Sequence, residues 1–318
     1  MAILVTGGAG FIGSHCIERL IDRTDRPIIC LDNFNDYYAP ALKRANVARF
    51  AGNRRVTVVE QTFCDRQAMH DLFAAHAIRQ VVHLGAQAGV RASVDDPYAC
   101  QQANVAGTLT LLEAARHHPV ERFLLVSSST VYGRGATVPF QEDAVTGVPM
   151  SPYGASKRAA ELLGLTYLDL HGVPVVCLRP FSVYGPRLRP DLAMSVFSAA
   201  IVEGRKLPLY GDGSVRRDFT HVSDICAGLE AALAADHVVG ETINLGHYEP
   251  VEIRTLIAAL AQGLGKQARI DRQPGQAGDM PITCADLAKA RRLLDYQPRV
   301  PFAEGVAEFV AWFRTRPG

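Results

Sequence analysis

The sequence lacks the features that would point to a nucleic acid or a metal as partner. Its charge is balanced, with 33 Lys and Arg against 32 Asp and Glu in 318 residues, so it offers no basic field to nucleic acid. Its seven cysteines form no CxxC pair and no cluster with histidine. This pattern favours buried thiols in a reducing compartment over disulfides or a metal site.

Membrane and export signals are also missing from the sequence. No apolar run reaches the roughly 20 residues that span a bilayer. The segment "MAILVTGG" carries no basic region of the kind that precedes the apolar part of a signal peptide. We therefore expect a soluble, cytoplasmic protein that binds no metal, no nucleic acid and no membrane.

Short apolar runs rich in β-branched residues alternate with helical patterns through the first 180 residues. The runs lie at 2–6, 27–32, 55–60, 80–85, 122–129 and 174–180. The helical patterns between them include 11–22, 66–77, 100–117 and 153–171. Continuous apolar strands separated by helices predict an α/β fold whose parallel sheet is covered on both faces.

The pattern changes after residue 180, where loops rich in Pro, Gly and Arg become frequent. A strand-like segment at 241–246 follows a helical one at 224–235, and we expect it to rejoin the sheet. The predicted organisation is a nucleotide-binding domain over 1–180, joined by 221–246, with a smaller lobe made of 181–220 and 247–318.

A glycine-rich turn, "GGAGFIG", follows the first strand and opens an amphipathic helix. Glycine permits a tight turn and close approach to a pyrophosphate, and the helix N-terminus supplies N–H groups and positive potential. Asp32 ends the second strand, 19 residues after Gly13, where its carboxylate can accept from ribose hydroxyls. An Asp there repels a 2′-phosphate, so the sequence predicts NAD rather than NADP.

The stretch "SPYGASK" places Tyr153 and Lys157 four residues apart on the first turns of a helix, so their side chains share one face. Free tyrosine, with a pKa near 10, is a poor base at neutral pH. A Lys ammonium about 4 Å away would lower that pKa by about three units before screening. Together with Ser128, which lies 25 residues upstream, the pair is a candidate acid/base centre for a sugar hydroxyl.

These stretches resemble those of extended short-chain dehydrogenases/reductases of the nucleotide-sugar epimerase and dehydratase type. The resemblance covers essentially the whole chain and rests on "TGGAGFIG", "DNFN", "HLGAQAGVR", "SSSTVYG", "YGASK", "LRPFSVYGP" and "YGDGSVRRDFTHVSD". It implies a Rossmann-type doubly wound parallel sheet with a smaller C-terminal substrate-binding lobe. It also implies NAD that stays bound through turnover, and a homodimer formed through helices 100–117 and 153–171.

Two hydroxyl residues decide which reaction we expect. Relatives that dehydrate the sugar carry an Asp-Glu pair just before "VYG", and relatives that decarboxylate a uronate carry a Glu there. This sequence has Ser129 and Thr130 at those places. A hydroxyl cannot supply that proton chemistry at neutral pH, but it can hydrogen-bond a substrate oxygen. The sequence therefore favours an epimerase over a dehydratase or decarboxylase, and the intact Tyr153/Lys157 pair disfavours a non-catalytic NAD sensor.

Among the epimerases, "DNFNDYY", "GAQAGVR" and "GPRLRPDLA" most resemble the UDP-glucuronate 4-epimerases. Ser182 and the Arg189-Pro190-Asp191 loop match that family's hydroxyl and Arg-Pro-Asp positions, and hydroxyls with an arginine suit the carboxylate of a uronate. Without the resemblance, Arg189 could equally be a solvated surface arginine in a basic loop. Ser182 could equally be a loop residue whose hydroxyl bonds to the backbone. A neutral UDP-hexose 4-epimerase, acting on UDP-glucose or UDP-N-acetylglucosamine, is the alternative.

The resemblance assigns the site residues as follows. The expected catalytic residues are Tyr153, Lys157, Ser128 and Thr130. The expected cofactor contacts are Gly7, Gly10, Phe11, Ile12, Gly13, Asp32, Asn33, Asn35, Leu84, Ala86, Tyr153 and Lys157. The expected substrate contacts are Arg91, Ser128, Ser129, Thr130, Ser182, Arg189, Arg217 and Asp279. Of these, Arg91 and Arg217 are candidates for the diphosphate and Asp279 for the ribose or uracil.

The sequence also departs from the family pattern at three places. Thr62 stands where an Asp usually meets the adenine amine, and Pro180 stands where an aromatic residue is usual. Arg187 lies in a loop that carries a tryptophan in the family. We expect the first change to weaken the adenine contact.

Overall fold

Parallel strands form the centre of the protein in a computed structural model, which describes residues 1–144, 147–274 and 280–316. The strands are β1 (Ala2–Thr6), β2 (Ile28–Asp32), β3 (Val56–Glu60), β4 (Ile78–His83), β5 (Arg122–Val126), β6 (Val175–Pro180), β7 (Ser182–Tyr184), β8 (Lys206–Tyr210), β9 (Arg216–Arg217), β10 (Phe219–His221), β11 (Thr242–Leu245), β12 (Val251–Glu252) and β13 (Arg269–Gln273).

The helices are α1 (Phe11–Arg23), α2 (Pro40–Ala48), α3 (Arg66–His76), α4 (Val90–Asp95), α5 (Pro97–Gln101), α6 (Thr108–His117), α7 (Pro152–His171), α8 (Ala193–Glu203), α9 (Val222–Ala234), α10 (Ile253–Leu264), α11 (Ala288–Leu294) and α12 (Phe302–Thr315). None of the helices in these ranges has the length and apolar character needed to cross a bilayer.

Seven strands pair in the order β3-β2-β1-β4-β5-β6-β11, and every neighbouring pair is parallel. The order reverses between β1 and β4, and ligands of open α/β sheets bind at such a switch point, beyond the carboxyl ends of the strands. The predicted fold class, a doubly wound parallel sheet, is confirmed. Thr242–Leu245 enters this sheet beside β6.

Successive side chains of a strand point to opposite faces of the sheet, and so the protein has an apolar core on each face. In β1, Ile3 and Val5 face one apolar cluster, whereas Ala2 and Leu4 face the other. Helices α1 and α9 pack together on the first side, and α3, α6 and α7 cover the second. Strands β1, β2 and β6 are buried on both faces, so each is a nearly continuous apolar run that the sequence pattern indicates clearly.

Two predicted segments differ from the structure. The helix expected at 100–117 is divided into α5, a π-helical stretch at Gln102–Gly107 and α6. The strand expected at 122–129 ends at Val126, and Ser129–Val131 forms a 3₁₀ turn instead. Both changes lie beside the site described below, as is common for π-helical segments.

Outside the central sheet, the described residues form three two-stranded sheets and further helices. Strand β8 pairs with β13, β7 with β10, and β9 with β12. Helix α10 packs against α8 and α12. Residues of β7, α8, β8 and β9 line one cleft together with residues at the carboxyl ends of the central strands.

Candidate active site

A cleft of about 950 Å³ opens at the carboxyl ends of the central strands. Every site residue expected from the sequence, apart from Asp279, lines this cleft. Asp279 lies outside the described residues. The cleft is also lined by Asp191, from the Arg-Pro-Asp loop, and by residues that the sequence did not single out, among them Tyr37, Lys43, Gln87, Ala88 and Tyr210.

The glycine turn is built for close backbone approach. Gly7 has a φ of +66°, a backbone conformation that favours glycine. The Gly10 N–H donates to the Gly7 carbonyl at 3.0 Å and closes the turn. A Cβ on Gly13 would overlap that same carbonyl oxygen, and a Cβ on Gly7 would lie 2.9 Å from Gly85. The turn can therefore hold a pyrophosphate against the N-terminus of α1, so these residues fit a dinucleotide.

Asp32 ends β2 at the side of the turn where a ribose would lie. Its carboxylate accepts from the Ala9 N–H at 3.2 Å and from the Phe34 N–H at 2.9 Å. The Lys43 ammonium lies 3.7 Å from the same carboxylate and donates to the Asn35 side-chain oxygen at 2.6 Å. Burial, opposed by Asp32, lowers the pKa of Lys43. Asn35 thus holds Lys43 beside Asp32 at the cleft wall.

The predicted catalytic residues meet where β5 ends and α7 begins. The Thr130 hydroxyl donates to the Ser128 hydroxyl at 3.0 Å within the 3₁₀ turn after β5. Ser151 caps α7 by accepting from the Gly154 N–H at 3.1 Å, which fixes the first turn of the helix. Tyr153 stands on that turn, so its side chain reaches the cleft beside Ser128.

Lys157 lies one turn further along α7 and is fully enclosed. Its ammonium donates to the main-chain carbonyl of Val126 at 2.7 Å. Burial lowers the pKa of Lys157 to about 8. The protein therefore holds a cation against a desolvation penalty at the end of β5, the strand that Ser127–Thr130 follow.

The pKa of Tyr153 differs from the sequence-based expectation. Burial raises this pKa, and Arg189 and the hydrogen bond with Ser128 oppose the rise. We expected the Lys157 ammonium to be the main cation acting on Tyr153. Instead, Arg189 is the cation that lowers the Tyr153 pKa most, while Lys157 is engaged by Val126.

Asn104 supports the site from behind and was not found in the sequence. Its amide donates to the Gln87 carbonyl at 3.1 Å and to the Ser156 hydroxyl at 2.9 Å, and its oxygen accepts from the Gln87 N–H at 2.8 Å. Ser156 in turn donates to the Tyr153 carbonyl at 2.8 Å. Asn104 lies in the π-helical stretch, a local distortion that a helical sequence pattern does not signal.

Arg189 is not the solvated surface arginine that the sequence left open, since only 17% of its side chain is exposed. Its Nε and Nη2 donate to the two oxygens of Asp191 at 2.9 and 2.6 Å, and Nη2 also donates to the Ala88 carbonyl at 3.3 Å. The guanidinium stands 5.4 Å from the ring centre of Tyr37. These contacts join the loop that follows β7 to the loops that follow β2 and β4.

The other expected substrate contacts are spread along the cleft. The Arg91 guanidinium stands over the ring of Tyr210, 5.5 Å from its centre. Arg217 donates to the Met280 carbonyl at 2.7 Å. Ser182 begins β7, where its N–H donates to the Asp218 carbonyl at 2.9 Å and its side chain borders the cleft.

The three departures from the family pattern also have places in the structure. The Thr62 hydroxyl accepts a hydrogen bond from the Cys64 N–H at 3.2 Å, and this bond stabilises the turn after β3. Pro180 ends β6 at the cleft wall. Arg187 pairs with Glu18 and donates to His15 at 3.1 Å, and so ties its loop to α1.

Comparison with known proteins gives consistent results. The sequence model of the GDP-mannose 4,6 dehydratase family matches residues 4–309. The UDP-glucuronate 4-epimerase of Thermodesulfobacterium geofontis is 38% identical over 312 residues, which cover 97% of this chain and 95% of that protein.

Two solved structures are similar along their full lengths. The UDP-glucuronic acid 4-epimerase of Bacillus cereus, in complex with UDP-glucuronic acid and NAD, superposes with a TM-score of 0.93 at 34% identity over 99% of both chains. The UDP-glucose 4-epimerase of Thermotoga maritima, with UDP-glucose, gives a TM-score of 0.90 at 31% identity over 99% of both chains.

Proposed function

The chain belongs to the GDP-mannose 4,6 dehydratase family of extended short-chain dehydrogenases/reductases, and we propose that it interconverts UDP-glucuronate and UDP-galacturonate at C4 with bound NAD. The observation that carries the proposal is the hydroxyl cluster, in which Ser129 and Thr130 follow Ser128 at the cleft wall beside Tyr153. The dehydratases that this chain resembles carry an Asp-Glu pair here and the uronate decarboxylases a Glu, whereas this chain has only hydroxyls. The similarity to UDP-glucuronate 4-epimerases supports the same reaction.

Bound NAD supplies reversible hydride transfer at C4, and the glycine turn, Asp32 and Lys43 would hold it. The residues of the chain then have separate tasks. Tyr153 takes the proton of the sugar 4-hydroxyl and later returns it. Ser128 hydrogen-bonds O4 and the Tyr153 hydroxyl, and Lys157 adds positive charge behind them. The 4-keto sugar turns within the same cleft between the two half-reactions.

The uronate carboxylate sets the chemical difficulty of the reaction. A uronate oxidised at C4 is a β-keto acid, and it loses CO₂ when its carboxylate bond stands perpendicular to the keto plane. The enzyme must therefore hold this group in an unreactive orientation. Thr130 and Ser182 are neutral donors for that purpose, and Arg189 supplies charge nearby. All three residues border the same cleft.

The two lobes divide the ligands in this proposal. Residues 1–180 and 221–246 hold NAD, and residues 181–220 and 247–318 hold the nucleotide sugar. The pairing of β11 with β6 supports the return of 221–246 to the first lobe. Arg91 and Arg217 bind the diphosphate, and Asp279 is kept as a candidate for the ribose or uracil.

We also propose a cytoplasmic homodimer. Apolar side chains are exposed on α7, where Leu162 and Leu170 are 53% and 70% exposed, and on α5, where Tyr98 is 85% exposed. Such side chains favour association of these helices with a second copy. All seven cysteines are free and six are buried, in keeping with a reducing compartment.

Incubation with a panel of UDP-sugars tests the function. NMR spectra should show UDP-galacturonate formed from UDP-glucuronate without net consumption of NAD, and protein purified without added cofactor should release NAD on denaturation. Tyr153→Phe is the matched inactive control. Turnover of UDP-glucose alone would instead assign a neutral-sugar 4-epimerase, and stoichiometric reduction of NAD would assign a dehydrogenase.

A further inference from the structure

Asp191 occupies the face of Arg189 that would otherwise be free for a substrate carboxylate. Two guanidinium nitrogens, Nε and Nη2, donate to its two oxygens in the fork geometry by which arginine binds carboxylates. Nη2 also donates to the Ala88 carbonyl. At most the third nitrogen, Nη1, is therefore left to reach a ligand in the cleft.

Both members of this pair stay charged. Although burial opposes it, the bond from Arg189 lowers the pKa of Asp191. Burial by itself would lower the pKa of Arg189, but the hydrogen bonds and the charge of Asp191 outweigh burial and raise this pKa. The pair thus places a fixed negative charge against the arginine at the edge of the cleft, where 34% of the Asp191 side chain is exposed.

Tyr37 modulates the pair from the other wall of the cleft. Its hydroxyl donates to the Asp191 carboxylate at 3.2 Å, while its ring lies beside the guanidinium. The Tyr37 hydroxyl thus competes with Arg189 for hydrogen bonds to the Asp191 carboxylate. Loss of the hydroxyl should strengthen the hold of Asp191 on Arg189, whereas loss of the Asp191 charge should release Arg189.

Epimerisation makes opposite demands on Arg189. The sugar carboxylate must be held while C4 is oxidised, yet the ring must turn before C4 is reduced from its other face. A bidentate bond to an unshared guanidinium would hold the carboxylate well but resist that rotation, because charge-assisted forked bonds are strong and directional. A guanidinium already shared with a protein carboxylate binds more weakly.

We propose that Asp191 is a positioning residue that weakens the grip of Arg189 on the sugar carboxylate, so that the 4-keto uronate can rotate between the half-reactions. This inference rests on the proposed function, because it requires a uronate substrate. Arg189 makes the contact to the substrate, and Asp191 acts only through it.

Affinity and turnover of Asp191→Asn separate this role from a structural one. In the inactive Tyr153→Phe background, Asp191→Asn should bind UDP-glucuronate at least about fivefold more tightly, since removing the shared charge frees a charge-assisted bond. In the active enzyme the same change should lower kcat and KM together for UDP-glucuronate. The KM for UDP-glucose should change by less than about twofold, because that sugar has no carboxylate for the arginine to hold.

Two further variants test whether the effect passes through Arg189. In an Arg189→Ala background, Asp191→Asn should change the affinity for UDP-glucuronate much less than it does when Arg189 is present, because only direct repulsion between Asp191 and the substrate carboxylate is then relieved. Tyr37→Phe should shift that affinity in the opposite direction, towards weaker binding. Weaker binding of both sugars by Asp191→Asn, or an effect of undiminished size without Arg189, would overturn the inference and make Asp191 a loop anchor.

The proposed function fails in a different way. A wild-type enzyme that converts UDP-glucose but not UDP-glucuronate overturns the substrate assignment before any variant is made. A wild-type enzyme that converts UDP-glucuronate, with an Asp191→Asn variant of unchanged affinity and kcat, overturns only the role of Asp191.

Discussion

The Lys157 ammonium donates a 2.7 Å hydrogen bond to the Val126 carbonyl, the last residue of β5. The end of β5 therefore fixes the cation at the cleft wall, which Ser128 and Thr130 also line. Burial lowers the pKa of Lys157 to about 8, so the folded protein holds this charge at a cost in stability. The site is built at the expense of the stability of the ligand-free fold.

We expect Lys157→Met to stabilise the ligand-free protein at pH 7 while abolishing turnover. The unfolded lysine titrates near 10.4 and the folded one near 8, so the unfolded chain binds more protons between these values and wild-type stability rises with pH there. The gain from removing the charge is therefore largest below pH 8 and shrinks towards pH 10. It should be on the order of 1–3 kcal/mol at pH 7.

Urea unfolding of both proteins at pH 7 and pH 10, after removal of NAD, measures this difference. Lys206→Met, at an exposed position, is the control and should show no such dependence on pH. A wild type that is more stable than Lys157→Met at pH 7 would contradict the prediction.

Tyr153→Phe should lose at least about a hundredfold in kcat while keeping its fold and its NAD, because only the acid/base hydroxyl is removed. Tyr98→Phe changes a tyrosine that is 85% exposed and serves as control. Initial rates with UDP-glucuronate and NAD content after denaturation are the measurements. Retention of more than about a tenth of the activity would exclude Tyr153 as the base.

The sequence predicted the sheet because strands buried on both faces leave continuous apolar runs, as at 2–6. It predicted the glycine turn and the Tyr153/Lys157 pair because each lies within a few residues of chain. The hydrogen bond from Tyr37 to Asp191 could not be predicted in this way. It joins residues 154 positions apart, and it forms only because the tertiary fold brings their two loops together.

Lys43 illustrates a second limit of the sequence. A lysine in a short helical segment gives no sign of burial. It reaches Asp32 only because α2 packs on the glycine turn, where Asn46 donates to the Ala9 carbonyl at 2.9 Å. The electrostatics of Tyr153 were mispredicted for a similar reason, since the sequence spacing placed Lys157 near it but could not show that Val126 engages the ammonium.

Thr130→Ala and Ser182→Ala should each slow epimerisation of UDP-glucuronate more than that of UDP-glucose, and should release UDP-4-keto-pentose. A hydrogen bond to a charged group contributes about 1.5–3 kcal/mol, enough to shift the product ratio about tenfold or more. Product analysis by NMR or mass spectrometry on both sugars measures the effect. Thr130→Ser keeps the hydroxyl and should behave like the wild type, whereas equal losses on both sugars would argue for a neutral substrate.

Leu170→Lys should shift the protein from dimer to monomer, because it places a charge on the exposed apolar face of α7. Size-exclusion chromatography with light scattering gives the mass of each variant. Val148→Lys, at a position 77% exposed in the segment before α7, is the control. A Leu170→Lys protein with the mass of the wild type would place the interface elsewhere or leave the protein monomeric.

Gly13→Ala should destabilise the protein and empty it of NAD, because the new Cβ would overlap the Gly7 carbonyl oxygen. The backbone of the turn must then shift away from the position that admits a pyrophosphate, at a cost of about 1–3 kcal/mol or more for the overpacking alone. Gly52→Ala is the matched control, since a Cβ there meets nothing within 4 Å. NAD released on denaturation and the urea midpoint are measured for both variants. If Gly13→Ala retains NAD as Gly52→Ala does, the pyrophosphate does not lie against this turn.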